Sequence, residues 1–163
     1  MSQVFIGLGS NLEEPEQQLK QAIHALANTK NCKLIHTSPF YLTKPVGYLN
    51  QPDFINAVVE IDTSLSPKQL LKEIQHIEQQ HGRVRTFQNA PRTLDLDILA
   101  FDQLRYQDDE LTIPHPRMHN RAFVLIPFND IAGDFELPGL GKVNDLALQC
   151  QGDGMVKING VHG

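Results

Sequence analysis

Four segments of the chain have the hydrophobic pattern of β-strands. Residues 3–9 (QVFIGLG) form an apolar run, and Gly9-Ser10-Asn11 at its end predicts a turn. Residues 33–41 (KLIHTSPFY) are compatible with a second strand. Residues 53–62 (DFINAVVEID) and 93–101 (TLDLDILAF) alternate between apolar and polar positions, so each is expected to turn one face toward a core.

Helical spacing predicts two helices between these strands and a third after them. Residues 15–28 begin with a proline, and their apolar positions recur every three or four residues. The second helix is predicted to start at a capping box, in which Gln69 follows Ser66 by three positions, and to stop at the glycine that follows its apolar stripe. Residues 117–132 are predicted to hold a third helix that is interrupted or ends near Pro127.

The order strand, helix, strand, strand, helix, strand is that of the split βαβ plan. It predicts an α+β, ferredoxin-like βαββαβ fold: an antiparallel sheet with two helices on one face, plus C-terminal helical additions. A length of 163 residues fits a single domain. Residues 137–163 are rich in glycine and polar side chains, so this tail is expected to be weakly ordered apart from a short helix at 143–150.

Composition places the chain among ordinary globular proteins. It is 40% hydrophobic and 20% charged, with 11 glycines and 10 prolines, which excludes disordered, collagen-like and coiled-coil chains. No apolar run approaches the roughly 20 residues that cross a bilayer, and no secretory signal is recognisable, so a cytoplasmic protein is expected. Cys32 and Cys150 are too few and too far apart for a disulfide framework or a four-ligand zinc site.

The distribution of arginine is more informative than the net charge of -5, which argues against a general nucleic-acid binder. All six arginines lie between positions 83 and 121, and no lysine falls in that window. The window also contains Asp95, Asp97 and His115. Because the planar guanidinium suits bidentate contact with phosphate, the window predicts a site for a polyphosphate and its metal ions. The alternative is an arginine-rich solvated face.

Asp95 and Asp97 are the first candidate functional residues. Two positions apart on a strand, they are expected on one face about 6–7 Å apart, while the apolar residues between and beside them take the core face. Two such carboxylates can share a pair of Mg²⁺ ions about 3.5–4 Å apart. Leu99 and Phe101 continue the aspartate face in apolar form, where a carboxylate needs a partner or a metal. The alternative is a solvated sheet face.

Other residues could contact a ligand. Gln75 and Glu78, three positions apart on the second helix, could meet a ligand at its carboxyl end or be solvated. His115, between two prolines, is a poor zinc candidate but a credible donor to a phosphate oxygen. Phe54 and Asn56 lie on the polar face of their strand, where a ring and an amide can sandwich and hydrogen-bond a flat heterocycle. The alternative for that pair is packing beneath a loop.

Six blocks of sequence stand out together: FIGLGSNL at 5–12, SPFYLTKPVG at 38–47, QPDFINAVV at 51–59, HIEQQHGRVR at 76–85, APRTLDLDIL at 90–99 and IPHPRMHNRAFVLIP at 113–127. They resemble the 6-hydroxymethyl-7,8-dihydropterin pyrophosphokinases of folate biosynthesis, in the family's order and over about residues 4–132. The combination of PRTLDLDIL with IPHPR is highly specific. The resemblance implies a ferredoxin-like α+β fold and transfer of the β,γ-pyrophosphoryl group of ATP to the hydroxymethyl oxygen of the pterin, releasing AMP.

The resemblance also implies roles for individual residues. Asp95 and Asp97 would hold two Mg²⁺ ions that bridge the triphosphate, and the phosphates would be surrounded by Arg83, Arg85, Arg92, His115 and Arg121. Gln75 and Glu78 would lie on the nucleotide side, and adenine and ribose would contact Ile98, Leu111 and Thr112. The pterin pocket would be formed by Thr43, Val46, Phe54, Asn56 and Phe123. No general base stands out, in keeping with a transfer that depends on positioning and charge neutralisation.

Two other functions could use the same parts. A two-metal nucleotidyltransferase would transfer the nucleotide and leave pyrophosphate, so the products separate it from a pyrophosphokinase. A non-enzymatic ferredoxin-like binding module for RNA would need exposed aromatic side chains on a basic sheet face, whereas this face carries two aspartates. The expectation is therefore a monomeric pyrophosphokinase that acts on small molecules, without nucleic-acid or membrane partners. The chain departs from well-known members of the family in having no Trp before Pro91-Arg92.

Overall fold

The strands and helices of the first hundred residues follow one another in the order that the hydrophobic pattern predicts, except that the second predicted strand is divided in two. The computed structural model describes residues 1–43, 53–81, 94–150 and 155–158. Its elements are β1 (Ser2–Ser10), α1 (Pro15–Ala27), β2 (Cys32–Thr37), β3 (Tyr41–Thr43), β4 (Phe54–Thr63), α2 (Pro67–His81), β5 (Leu94–Phe101), β6 (Tyr106–Gln107), β7 (Thr112–Ile113), a 3₁₀ turn (Met118–Asn120), α3 (Ala122–Ala132), β8 (Glu136–Leu137), β9 (Gly141–Lys142), α4 (Val143–Leu148) and β10 (Val156–Lys157). Within these described residues, no helix is both long and apolar enough to cross a bilayer.

Six of these strands form one antiparallel sheet. Its order is β5, β1 and β4, followed by β2 and β3, which lie end to end along β4. If β2 and β3 are counted as one interrupted strand, this is the ferredoxin-like arrangement, and the predicted fold is confirmed. β10, which the sequence does not predict, pairs with the outer edge of β3.

The sheet carries a hydrophobic core on each face, because successive side chains of a strand point to opposite sides. On the α1–α2 face, both helices pack against alternate residues of β1 and β4, among them Ile6 and Val59. On the opposite α3 face, Phe5 and Val58 are buried in a second core. There the centres of the Phe5 and Phe128 rings lie 4.6 Å apart. The C-terminal additions are therefore the layer that covers the second face.

α2 begins with the capping box that the sequence predicts. The backbone N–H of Gln69 donates to Oγ of Ser66 at 3.2 Å, and the backbone N–H of Ser66 donates to Oε1 of Gln69 at 2.9 Å. The proline between them occupies the first helical position, where its missing N–H removes no helical hydrogen bond. α2 therefore starts at a defined residue, and its far end carries Glu78 to the edge of β5.

Ser66→Ala is expected to lower the free energy of unfolding by about 1 kcal/mol, because the Gln69 N–H loses its acceptor. Ser64→Ala is the matched control, since Ser64 is exposed and lies outside the capping box. Urea unfolding followed by far-UV circular dichroism measures both variants. Equal losses of stability would contradict the capping role of Ser66.

Two strand predictions need correction at their ends. Gly9, for which the sequence predicts a turn, lies inside β1 and pairs with Asn56 of β4 and Asp95 of β5. The predicted strand 33–41 is interrupted between β2 and β3. Pro39 falls in this gap, and a proline cannot donate to a ladder. The N–H of Ser38 still donates to the carbonyl oxygen of Val58 at 2.9 Å, and the regular ladder with β4 resumes at β3.

A bulge in the pairing of β5 changes which face its last residues occupy. The register between β1 and β5 shifts between Phe5 and Ile6. One extra residue sends all later side chains to the opposite face. The prediction that Phe101 shares the aspartate face is therefore wrong. Leu99 packs in the α3-face core, whereas Phe101 joins the core of the α1–α2 face.

The C-terminal part supplies residues to the α3-face core. The segment 117–132 contains the 3₁₀ turn and then α3, so the break falls before α3, and Pro127 lies inside that helix rather than at its end. The predicted short helix is confirmed as α4. Leu137 and Val143 are fully buried against the α3-face core, so β8 and α4 pack on the sheet. The weak order expected of residues 137–163 stays a prediction.

Candidate functional site

The α3 face of the sheet carries the candidate site on three rows of residues. Residues opposite each other in antiparallel strands share a face and lie about 4.5–5.5 Å apart. The first row is Asn56, Gly9 and Asp95, the second is Val58, Gly7 and Asp97, and the third is Thr43 and Phe54. The two glycines put no side chain on β1 at the centre of the rows, so the side chains of Asn56 and Leu99 approach its backbone closely.

A cavity of about 680 Å³ lies over these rows, at the start of α3. It brings together residues that the sequence analysis singled out: Thr43, Phe54, Asn56, Asp95, Asp97, His115, Arg121 and Phe123. They come from three strands, the loop after β7 and the start of α3, so their meeting is a product of the fold. The volume falls in the usual range for small-molecule sites. One end of the cavity is acidic and the other is aromatic.

Asp95 and Asp97 form the acidic end, with a third carboxylate beside them. Both aspartates are exposed side chains that line the cavity. Glu78 reaches the outer edge of β5 from α2, and its Oε2 accepts the backbone N–H of Leu96 at 2.7 Å. Burial raises the pKa of Glu78 to about 7; the hydrogen bond opposes this rise, and the charges of Asp95 and Asp97 add to it. A divalent cation would relieve this repulsion between carboxylates.

His115 lies close to this acidic end as a hydrogen-bond donor. Burial lowers the pKa of its imidazole; Asp97 opposes that shift, while the charges of Arg121 and Arg117 add to it. Nδ1 of His115 accepts the backbone N–H of Arg117 at 3.2 Å. The neutral ring therefore carries its proton on Nε2, the form that can donate to a phosphate oxygen.

Arg121 brings positive charge to the start of α3. Its guanidinium carbon lies 5.6 Å from the centre of the Phe123 ring, a distance at which cation and ring attract. Asn120 and the first residues of α3 line the cavity beside it. The first N–H groups of a helix have no partner within the helix and favour an anion. Two sources of positive potential thus face the cavity from the same side.

The aromatic end of the cavity suits a flat ring with hydrogen-bonding edges. Phe54 and Phe123 line it from β4 and α3. Asn56 is buried beside them, and its Nδ2 donates to Oγ1 of Thr43 at 2.6 Å. This hydrogen bond sets the orientation of the amide and leaves Oδ1 over Gly9. Rings that stack and an amide held in one orientation are the components of a heterocycle site.

Gly7 and Gly9 contribute to the site although no sequence pattern assigned them a role in it. A Cβ on Gly9 would lie 2.5 Å from Oδ1 of Asn56, whereas a Cβ on Gly7 would meet the side chain of Leu99 at 3.3 Å. Position 9 thus needs glycine because of the close approach of Asn56, and not because of a turn. Two glycines two positions apart in an apolar strand were the available signal. Asn120 and Met155 also line the cavity, without a signal in the sequence pattern.

Some of the predicted site residues lie away from the cavity or outside the described residues. Gln75 is exposed on α2, and Ile98 and Leu111 are buried in the core of the α1–α2 face. Thr112 lines a neighbouring cavity of about 400 Å³, which His115 also lines. Outside the described residues lie Val46, Arg83, Arg85 and Arg92. The roles of all these residues stay predictions.

The acidic end fits Mg²⁺ when part of the coordination comes from a substrate. Among the residues that the structure describes, no group of three or more His, Cys, Asp or Glu side chains could hold an ion. Mg²⁺, however, commonly keeps several waters and binds one or two carboxylates plus substrate phosphates. Asp95 and Asp97 supply two carboxylates on one face of the sheet, and their negative charges add to the raised pKa of the neighbouring Glu78. The two aspartates therefore suit a metal ion whose other ligands are waters and the oxygens of a polyphosphate.

Comparisons with known proteins agree on one family. The model of "7,8-dihydro-6-hydroxymethylpterin-pyrophosphokinase (HPPK)" matches residues 5–133. The chain is 46% identical over 159 residues to the 2-amino-4-hydroxy-6-hydroxymethyldihydropteridine pyrophosphokinase of Haemophilus influenzae, covering 98% of this chain and 99% of that protein. The enzyme of the same name from Pseudomonas aeruginosa is 40% identical over 160 residues, with coverages of 98% and 99%. A crystal structure of Plasmodium falciparum HPPK-DHPS shares the fold with a TM-score of 0.71 at 15% identity, over 91% of this chain and 45% of that longer chain.

Proposed function

The chain belongs to the 7,8-dihydro-6-hydroxymethylpterin-pyrophosphokinase family, and we propose that it transfers the β,γ-pyrophosphoryl group of ATP to the hydroxymethyl group of 6-hydroxymethyl-7,8-dihydropterin. Family members are ATP-dependent pyrophosphokinases of folate biosynthesis, so the chain is an enzyme that acts on small molecules. The proposed reaction requires Mg²⁺ and releases AMP. A cytoplasmic, monomeric enzyme without nucleic-acid partners stays a prediction.

One observation carries the proposal: the acidic pair and the aromatic end line the same cavity. Asn56 and Asp95 lie in one row, with Gly9 between them. Two strand spacings separate them, or about 10 Å, which leaves room for a bicyclic ring and the phosphate that it attacks. A ring held at Phe54 and Asn56 would therefore point a substituent toward the aspartates.

The proposed step is a displacement at the β-phosphorus of ATP. The hydroxymethyl oxygen of the pterin forms a bond to that phosphorus while the bond to the oxygen shared with the α-phosphate breaks. The electron pair of the broken bond leaves with AMP, and the hydroxyl proton goes to solvent or to a phosphate oxygen. The protein supplies no nucleophile in this step, so it acts by holding the two reactants in line and by compensating charge.

The described residues can hold the two reactants and compensate the charge of the phosphates. Asp95 and Asp97 would hold Mg²⁺, which when bound neutralises charge on the phosphate oxygens. His115 would donate its Nε2 proton to a phosphate oxygen, and the guanidinium of Arg121 would compensate charge beside it. Asn56, oriented by Thr43, would hydrogen-bond the edge of the pterin ring, which would lie between Phe54 and Phe123. Around the phosphates the family resemblance adds Arg83, Arg85 and Arg92.

The proposal is tested by the products formed from ATP, Mg²⁺ and 6-hydroxymethyl-7,8-dihydropterin. We expect pterin-dependent AMP, with neither ADP nor free pyrophosphate, on chromatographic separation. The matched control substrate is 6-methyl-7,8-dihydropterin, which keeps the ring but has no hydroxyl and should yield no AMP. Chelation of the metal should abolish turnover, and added Mg²⁺ should restore it.

Each other outcome of this assay points to a different function. Free pyrophosphate with a nucleotidylated acceptor would show a nucleotidyltransferase instead. ATP binding without any product would favour a binding module. Either result contradicts the proposed pyrophosphoryl transfer.

A further inference from the structure

Residues 155–158, here called the C-terminal strap, extend the sheet next to the aromatic end of the cavity. β10 of the strap pairs antiparallel with β3. The backbone N–H of Ile158 donates to the carbonyl oxygen of Phe40 at 2.8 Å, and the Ile158 side chain packs against the core of the α1–α2 face. On the other face, Nζ of Lys157 lies 5.9 Å from the centre of the Tyr41 ring. The strap is thus attached through its backbone and on both faces of the sheet.

The register of the strap places Met155 in the third row of the site. Val156 pairs with Leu42, so continuing the antiparallel register by one residue sets Met155 opposite Thr43. Thr43 in turn pairs with Phe54 of β4. Met155 lines the cavity as a half-buried side chain, in the same row as these two residues. Val156 belongs to the other face and is 57% exposed.

We propose that Met155 binds the acceptor ring at the aromatic end of the cavity. The inference rests on the proposed function, because it assigns this contact to the pterin substrate. A thioether is polarisable and flexible, and it makes favourable contacts with the edges of aromatic rings. The row of Met155, Thr43 and Phe54 lies at the opposite side of the cavity from Asp95 and Asp97. The contact therefore concerns the acceptor and not the triphosphate.

This contact comes from a part of the chain beyond the family match, which ends at residue 133. The strap holds Met155 through β3, the strand that also carries Thr43, the acceptor for the Asn56 amide. One edge of the ring would thus meet the amide of Asn56, and an adjoining edge would meet the Met155 side chain. Met155 thereby contributes to selection of a flat heterocycle over smaller acceptors.

The test compares Met155→Ala, Met155→Leu and the matched control Val156→Ala in the full chain. Equilibrium binding of 6-hydroxymethyl-7,8-dihydropterin and of ATP is measured by calorimetry, and KM and kcat by AMP formation. We expect Met155→Ala to weaken pterin binding by about two- to tenfold, while ATP binding and thermal unfolding stay unchanged. Met155→Leu should restore most of the affinity, and Val156→Ala should resemble the wild type.

Two results would overturn the inference. Unchanged pterin affinity in Met155→Ala would show that the side chain does not contact the ring. Equal weakening of pterin and ATP binding, or the same loss in Val156→Ala, would show that the strap acts only through stability. Failure of the proposed function is distinguishable from both, since the wild-type chain would then form no pterin-dependent AMP.

Discussion

Asp97→Asn is expected to lower kcat by about 10²- to 10³-fold or more while the protein keeps its fold. The substitution preserves shape but removes one of the two negative charges that would hold Mg²⁺ at the triphosphate. Asp97 is exposed to the cavity and belongs to neither core, so its loss should leave the unfolding temperature nearly unchanged. AMP formation, measured across a range of Mg²⁺ concentrations, gives the effect.

Asp109→Asn is the matched control for this prediction. It makes the same change of charge on an exposed side chain that lies away from the cavity. We expect its kcat and Mg²⁺ dependence to equal those of the wild type. A folded Asp97→Asn enzyme with normal activity would falsify the assignment of Asp97 to the metal.

Gly9→Ala is expected to lower both stability and pterin binding. The new Cβ would lie 2.5 Å from Oδ1 of Asn56, so the amide must move and lose its 2.6 Å hydrogen bond to Thr43, or β1 must shift. Overpacking of a buried position typically costs about 1–3 kcal/mol of stability. A misplaced amide should in addition raise the Kd for pterin by about tenfold or more, as for loss of one hydrogen bond in a binding site.

The neighbouring glycine provides a control with the same chemistry. Gly7→Ala places its Cβ 3.3 Å from the Leu99 side chain, a far less severe contact than the 2.5 Å approach at position 9, so a much smaller loss of stability is expected. The double variant Gly9→Ala/Asn56→Ala should lose less stability than the two single variants together, since Asn56 Oδ1 is no longer there to clash with the new Cβ. It should still bind pterin poorly, because the amide is absent. Strict additivity of the two stability losses, measured by urea unfolding, would contradict the steric argument.

Local pattern predicted β1, α1, β4, α2 and β5, but not the break between β2 and β3. Alternation predicted β4 and β5, and the reciprocal hydrogen bonds of Ser66 and Gln69 confirm the predicted start of α2. These features depend on residues a few positions apart, which the sequence displays directly. The same alternation placed Asp95 and Asp97 on one face, as the structure does.

Pairing between distant segments decided what local pattern could not. The bulge between β1 and β5 moves Phe101 to the other face, although alternation alone predicts the aspartate face. The local sequence predicts a turn at Gly9, whereas the close approach of the Asn56 side chain shows why this position in β1 needs a glycine. Because a glycine has no side chain whose polarity indicates its environment, its role can be assigned only from the residues that contact it in the structure.

The sequence by itself determined the strand and helix order, the family, and the residue types of the site. Only the tertiary structure showed that Asn56, Gly9 and Asp95 form one row, and that the strap brings Met155 to the same cavity. The physical reason is that periodicity and capping are interactions along the chain, whereas a cavity forms from interactions across strands. Those depend on register, and register is set by hydrogen bonds and core packing between residues far apart in sequence.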